Sequence, residues 1–316
     1  MASRNKVTVV GAGNVGATVA QSLVAREVAD ISLVDIVPGL PQGKALDLQQ
    51  AAAVQGLDVR VSGSNDYADT SGSDVIVVTA GLARKPGMSR DDLLFKNAEI
   101  VGGILDQVVG MSPDAILVMV TNPLDVMTTL AWKKSKWDAR RVMGMAGVLD
   151  SARYAAFIAL EFGCSVRDVR AMVLGGHGDD MVPIPEYSTV NGIPITRLLS
   201  AERVAALNDR TRNGGAEIVK FLGTGSAYYA PGACAAIMVE SILRDQHRLL
   251  PCCARVDGPY GIRDTYCGVP VKLGRGGVEQ VVELALSDAA RAALQASAAH
   301  VQESCVKLTP QKAAGA

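Results

Sequence analysis

The sequence predicts an α/β fold, a doubly wound parallel sheet followed by a mixed α+β catalytic domain. Three observations lead there. Short, almost wholly apolar runs alternate with helix-periodic stretches through the first 144 residues, as parallel strands buried on both faces and covered by helices require. A glycine-rich turn, Gly11–Gly16, falls at the first strand-to-helix junction, and the acidic Asp35 closes the next strand. Beyond about residue 145 the strict alternation gives way to long helical patterns mixed with scattered strands.

In chain order, the first half reads as strands at Lys6–Val10, Ile31–Ile36, Val75–Ala80 and Ile116–Val120. Helices lie between and after them at Val15–Ala25, Gly43–Ala52, Asp91–Val109 and Leu124–Lys134. Ser112-Pro113-Asp114 and Thr121-Asn122-Pro123 punctuate the series, with proline near the start of the next element. A β-α-β-α order of this kind builds a Rossmann sheet. The second half reads as a strand at Arg141–Met145, a helix from Gly147 to about Phe162 and a strand at Val169–Leu174. Helices over 201–220 and 226–246, strands at Ala254–Asp257 and Thr265–Lys272, and a helix from about Val278 follow. The expected domains are residues 1–144 and 145–316, and the tail Leu308–Ala316 reads as frayed.

Composition narrows the function. Of 316 residues, 49% are hydrophobic and 20% charged, a globular balance. Thirty-one Lys and Arg against 32 Asp and Glu give a net charge of −1, so no general attraction to nucleic acid or to an anionic membrane is expected. A small anionic ligand stays possible, because a few arginines act locally. No apolar run reaches the roughly 18 residues of a membrane span, and MASRNK carries no targeting signal. The six cysteines, including adjacent Cys252 and Cys253, show no metal-ligand spacing. A reduced, cytoplasmic protein with buried thiols and no bound metal is the expectation.

Gly11-Ala12-Gly13-Asn14-Val15-Gly16 is a G-x-G-x-x-G turn. Gly11 suits the tight turn, Gly13 a close approach of backbone to pyrophosphate, and Gly16 close packing of helix on sheet. Six letters alone are weak, but the strand before, the helix after and Asp35 about 20 residues on strengthen them. An acid there accepts hydrogen bonds from a ribose and repels a 2′-phosphate, favouring NAD over NADP; it also suits an ordinary strand-end turn.

Three histidines are present, and His247 and His300 sit in polar, surface-like contexts. His177, in Gly175-Gly176-His177-Gly178-Asp179, is flanked by glycines that clear space around its ring. An imidazole is the natural proton donor or acceptor near neutrality. Asp150, opening a helix, suits its carboxylate partner or equally a helix cap. Arg153 follows one turn later on the same face, where it either binds a carboxylate or forms a surface ion pair with Asp150. The loop Gly81-Leu82-Ala83-Arg84-Lys85-Pro86-Gly87-Met88-Ser89-Arg90 leaves the C-terminal end of a parallel strand, where ligands bind in such sheets. It suits an arginine-bearing lid over a small dianion, or a solvated basic loop.

Together with Val120-Thr121-Asn122-Pro123, Gly225-Ser226-Ala227-Tyr228-Tyr229-Ala230-Pro231 and Gly268-Val269-Pro270-Val271, these motifs resemble the lactate/malate dehydrogenase family, in its lactate-dehydrogenase-like malate branch. The resemblance covers nearly the whole chain and keeps the motif order. It implies NAD-dependent, reversible oxidation of (S)-malate to oxaloacetate, a tricarboxylic acid cycle reaction, by a homodimer or homotetramer. His177 would exchange the proton, with Asp150 orienting it. Arg153 would bind the carboxylate beside the reacting carbon, Arg90 would polarise the carbonyl, and Asn122 would hold substrate and nicotinamide. Arg84 occupies the specificity position, where arginine pairs with the second carboxylate and the lactate-specific branch typically carries glutamine. Asn97 and the Val120, Thr121 and Asn122 backbone would contact the cofactor. Three alternatives stand beside this reading. Lactate dehydrogenase or a broad 2-keto-acid reductase is opposed by Arg84. A non-catalytic NAD-binding protein is opposed by the complete set of site residues. A sugar enzyme on the same sheet would need a Tyr-x-x-x-Lys pair, and none occurs in a suitable context.

Overall fold

The computed structural model describes residues 4–83 and 88–308. Strand β1 (Lys6–Val10) leads through the glycine turn into helix α1 (Asn14–Val24). Then come β2 (Asp30–Val34), α2 (Leu40–Gln55), β3 (Val61–Ser64), β4 (Val75–Val78), α3 (Arg90–Val108), β5 (Ile116–Met119), α4 (Leu124–Ser135) and β6 (Val142–Gly144). These six strands pair in parallel in the order β3-β2-β1-β4-β5-β6, so the winding reverses between β1 and β4. A crevice opens at the carboxyl ends of the strands at such a reversal.

Alternation along the strands builds two cores. Val7 and Val9 of β1 and Val118 of β5 belong to the core that the buried residues of α1 and α2 also enter, whereas Val10, Leu117 and Met119 belong to the one that includes α3 and α4. Every residue from Val75 to Val78 is buried, as a strand covered on both sides demands. α3 begins at a reciprocal cap: the Ser89 hydroxyl accepts the Asp92 N–H at 3.0 Å and Asp92 accepts the Ser89 N–H at 3.1 Å.

Helix α5 (Gly147–Phe162) opens the second half, followed by the short strands β7 (Val169–Arg170), β8 (Val173–Leu174), β9 (Val182–Pro183), β10 (Thr189–Val190) and β11 (Ile193–Pro194). Helices α6 (Ile195–Leu198), α7 (Ala201–Leu222) and α8 (Tyr229–Leu243) lead to strands β12 (Arg248–Val256), β13 (Thr265–Gly274) and β14 (Gly277–Val281), and α9 (Asp288–Val306) closes the described chain. β12 adds antiparallel to β6 through Cys253 and Gly144, so β12, β13 and β14 extend the parallel sheet to nine strands among the described residues. The two halves therefore share one continuous sheet.

Four readings of the sequence change here. The helix expected from Val278 is strand β14; a turn through Gly276 and Gly277, with Gly277 at φ +87°, folds it back onto β13, and the helix waits for the Ser287 cap. The single strand expected over Val169–Leu174 is two, β7 joining β10 and β8 joining β9. β12 starts at Arg248, well before Ala254, and β3 had no counterpart in the expected elements because Val61-Ser62-Gly63-Ser64 lacks an apolar run. The cysteines are free thiols; Cys252, Cys253 and Cys267 are fully buried in β12 and β13, and burial pushes the thiol pKa of each of these three up.

Candidate active site

The glycine turn is fixed by sterics. Gly11 takes φ +101°, and a Cβ there would lie 2.6 Å from the Ala80 nitrogen. A Cβ on Gly16 would land on the Gly11 carbonyl oxygen, whereas one on Gly13 would meet only open space. The first turn of α1 has no side-chain cap, since Gly13 stands at the capping position. Its N–H groups and the positive end of the helix are left for an anion. Asp35 accepts the Ala12 N–H at 2.6 Å and the Val37 N–H at 2.9 Å, so it both ties the turn to β2 and lines the cleft beside it. That cleft, about 790 Å³, runs between Gly11, Asp35, Ala80, Leu82 and Ile100. An uncapped turn, a cradle that side chains would fill and an acid at the second strand end fit a dinucleotide with a free 2′-hydroxyl.

A second cavity of about 400 Å³ is bounded by Arg90, Asn122, Asp125, His177 and Asp179. The His177 loop is pinned on several sides. Gly175 exchanges backbone hydrogen bonds with Gly268 of β13 at 2.8 and 3.1 Å, and the Gly176 N–H reaches the Ser297 hydroxyl of α9 at 2.8 Å. The His177 N–H reaches Asp125 Oδ2 of α4 at 2.7 Å. The ring itself meets Asp150: Nδ1 lies 2.9 Å from Oδ2. An ionised carboxylate only accepts, so Nδ1 carries the hydrogen and Nε2 is left to exchange a proton.

Asp150 is 1% exposed and sits inside the first turn of α5, whose cap position is Ala146. It is thus the imidazole's partner rather than a cap. Its Oδ1 also faces Arg153 Nη1 at 3.4 Å, and Arg153 Nε is buried with no partner. Gly214 of α7 lies against Arg153, where a Cβ would make ordinary contact with its Cδ at 3.4 Å. A buried guanidinium with an unmet donor beside a proton-exchanging imidazole is built to take a carboxylate. Burial opposes charging of His177, but the charge and hydrogen bond of Asp150 and the charge of Asp125 outweigh it and raise its pKa above the ordinary 6.5.

Asn122 is exposed at the end of β5 and lines the same cavity, next to the cis Asn122–Pro123 bond. Thr121 donates to the Ala80 carbonyl at 2.7 Å, and Val120 is buried. Asn97, fully buried, donates to the Leu82 and Asn122 carbonyls at 3.1 and 2.6 Å and accepts the Leu82 N–H at 2.8 Å. Its amide thereby joins the two loops. Arg90, largely exposed, pairs with Asp179 at 2.5 Å, at the mouth of the cavity. Arg84 lies outside the described residues. His247 and His300 are exposed; His247 joins an ion-pair cluster with Asp245, Glu279 and Lys272, and His300 faces Asp180 at 3.3 Å. The sequence reading did not include Asp125 or Gly214. A lone acid in the apolar Leu124–Met127 run was the available signal for the first; Gly214-Gly215 inside a helical pattern was the signal for the second.

Residues 5–144 match the family model for the lactate/malate dehydrogenase NAD binding domain, and residues 147–310 match that for the lactate/malate dehydrogenase alpha/beta C-terminal domain. A malate dehydrogenase of Chloroherpeton thalassium is 57% identical over 304 residues, 96% of this chain and 98% of its own. The solved malate dehydrogenase of Salinibacter ruber superposes with a TM-score of 0.92 at 53% identity, covering 96% of this chain and 97% of that one. A lactate dehydrogenase of Cryptosporidium parvum, solved with lactic acid and nicotinamide adenine dinucleotide, superposes with a TM-score of 0.94 at 39% identity, covering 98% and 100%.

Proposed function

Because this chain belongs to the lactate/malate dehydrogenase family, we propose that it is an NAD-dependent malate dehydrogenase acting through the His177–Asp150–Arg153 cluster. The observation that carries this reading is the buried, unpartnered Arg153 Nε beside the Asp150-held imidazole. Relatives more than half identical over nearly the full chain are malate dehydrogenases, which favours the dicarboxylate over lactate.

Gly11, Ala12, Gly13, Asn14, Val15, Gly16 and Asp35 would hold the dinucleotide, with Val120, Thr121 and Asn122 lining its nicotinamide end and Asn97 fixing their loop. Bound NAD supplies the hydride acceptor, and NADH the donor. The chain supplies the rest. In reduction, protonated His177 gives its Nε2 proton to the substrate carbonyl oxygen as charge develops there, and Asp150 holds ring and tautomer throughout. In oxidation, neutral His177 removes the hydroxyl proton. Arg153 binds the carboxylate next to the reacting carbon. Arg90 would exchange Asp179 for the carbonyl oxygen, and Arg84 would pair with the second carboxylate. Residues 1–144 form the cofactor domain and residues 145–316 the substrate domain. We place the enzyme in the cytoplasm as a homodimer or homotetramer. Among the described residues no helix is long and apolar enough to cross a membrane, and Leu46 and Val54 of α2 expose apolar side chains that a partner would cover.

The test is NADH oxidation by purified protein with oxaloacetate or pyruvate at equal concentrations. A kcat/KM favouring oxaloacetate by about a few hundredfold to a few thousandfold is expected, since an arginine left without its carboxylate costs roughly 3–5 kcal/mol. NADPH should serve poorly beside Asp35. Preference for pyruvate would overturn the role of Arg84, and inactivity with both substrates despite NADH binding would overturn the enzyme reading.

A further inference from the structure

Asp125 is a buried carboxylate that the reaction described above does not use. It lies in the first turn of α4, three residues after Asn122, and is 4% exposed. Its Oδ2 accepts the His177 main-chain N–H at 2.7 Å, within the short range of charge-assisted bonds. Oδ1 has no hydrogen-bond partner. Gly176 lies beside it; a Cβ there would stand at an ordinary contact distance of 3.6 Å from Oδ2. The same peptide that carries the imidazole is thus gripped from the cofactor domain, while the ring is gripped by Asp150 from α5.

The surroundings of Asp125 set its charge. His177 and the Cys253 thiol of β12 favour the carboxylate, whereas burial, the largest influence, and Asp150 disfavour it and raise its pKa. Cys267 of β13 and Cys305 of α9 also feel its charge. His177 in turn faces Asp150 and Asp125 as anions and Arg153 as a cation. Charging the imidazole therefore favours the ionised form of Asp125.

Resting on the reading of His177 as the proton-exchanging group, we propose that Asp125 is a positioning residue that fixes the His177 main chain in the cavity it shares with Asn122 and adds its charge to that of Asp150 in stabilising the imidazolium. It joins the two halves of the site: the helix that follows Asn122-Pro123 holds the loop that bears the imidazole.

The experiment uses the full-length protein with Asp125→Asn and Asp125→Ala. Nitrogen-15 imidazole NMR follows His177, which is one of only three histidines, and steady-state kinetics with oxaloacetate, NADH affinity and thermal unfolding accompany it. Asparagine keeps an oxygen for the N–H but removes the charge. The His177 titration should fall by roughly one pH unit in Asp125→Asn, the scale of one nearby charge in a partly screened site. Its kcat should drop about tenfold, with KM and NADH affinity little changed. Asp125→Ala should lose on the order of 100-fold in kcat, partly restored by asparagine. A His177 titration in Asp125→Asn at the wild-type pH, or kcat losses that only track the unfolded fraction, would overturn the proposal. The NMR titration needs no substrate, so inactivity of the wild type with oxaloacetate would count against the proposed reaction while the titration still decides the contact.

Discussion

His177→Asn is expected to lower kcat for oxaloacetate reduction and malate oxidation together by about a thousandfold, within the range that a positioned general acid or base contributes. The cause is specific. Asparagine fills similar space and offers a donor to Asp150, but it has no group that titrates near neutrality and no free nitrogen to deliver a proton. Rapid kinetics should show the loss in the chemical step. NADH affinity, which we assign to the Gly11–Gly16 turn and Asp35 in the other crevice, should stay within about threefold, and the pH dependence of the residual rate should flatten. A variant retaining a tenth of the wild-type rate would mean that another group supplies the proton.

Arg153→Gln carries the second large effect, and its signature differs. The guanidinium is mostly buried, its Nε unmet, its Nη1 3.4 Å from Asp150. Removing one member of a buried charged pair costs roughly 3–5 kcal/mol, so kcat/KM for oxaloacetate should fall by about a few hundredfold to a few thousandfold. Most of the loss should appear in KM if Arg153 binds ground and transition states alike. The charge of Arg153 also lowers the His177 pKa. Its removal should therefore move the His177 titration upward, the reverse of the shift expected for Asp125→Asn. Steady-state kinetics across pH checks both signs.

Legibility in the sequence followed physical uniformity. β1 was legible to the residue because Lys6–Val10 is buried on both faces and runs into Gly11, whose φ of +101° favours glycine. Helix α5 was equally clear, with a glycine at each end. β3 was hidden because an edge strand of Val61-Ser62-Gly63-Ser64 pairs through its backbone, without an apolar signature. Val278 and Val281 gave a helical spacing that the Gly276-Gly277 turn overrode, since that turn returns the chain onto β13. In the site, His177, Asp150 and Arg153 were readable from glycine context and one-turn spacing, and the structure brings them together. Asp125 was not readable, because its significance arises only where α4 meets a loop 52 residues away. Asn97 was given a cofactor contact, yet its amide is taken up by two loop backbones.

The central claim, that His177 held by Asp150 exchanges the proton, is tested most directly by measuring kcat/KM against pH in both directions. Reduction of oxaloacetate needs the charged imidazole, so its rate should fall as pH rises through the His177 pKa. Oxidation of malate needs the neutral ring, so its rate should fall as pH drops through the same pKa. The two limbs should mirror each other and share a midpoint above the ordinary 6.5, because Asp150 and Asp125 stabilise the charged form against burial. Limbs running in the same direction, or a shared midpoint well below 6.5, would contradict it.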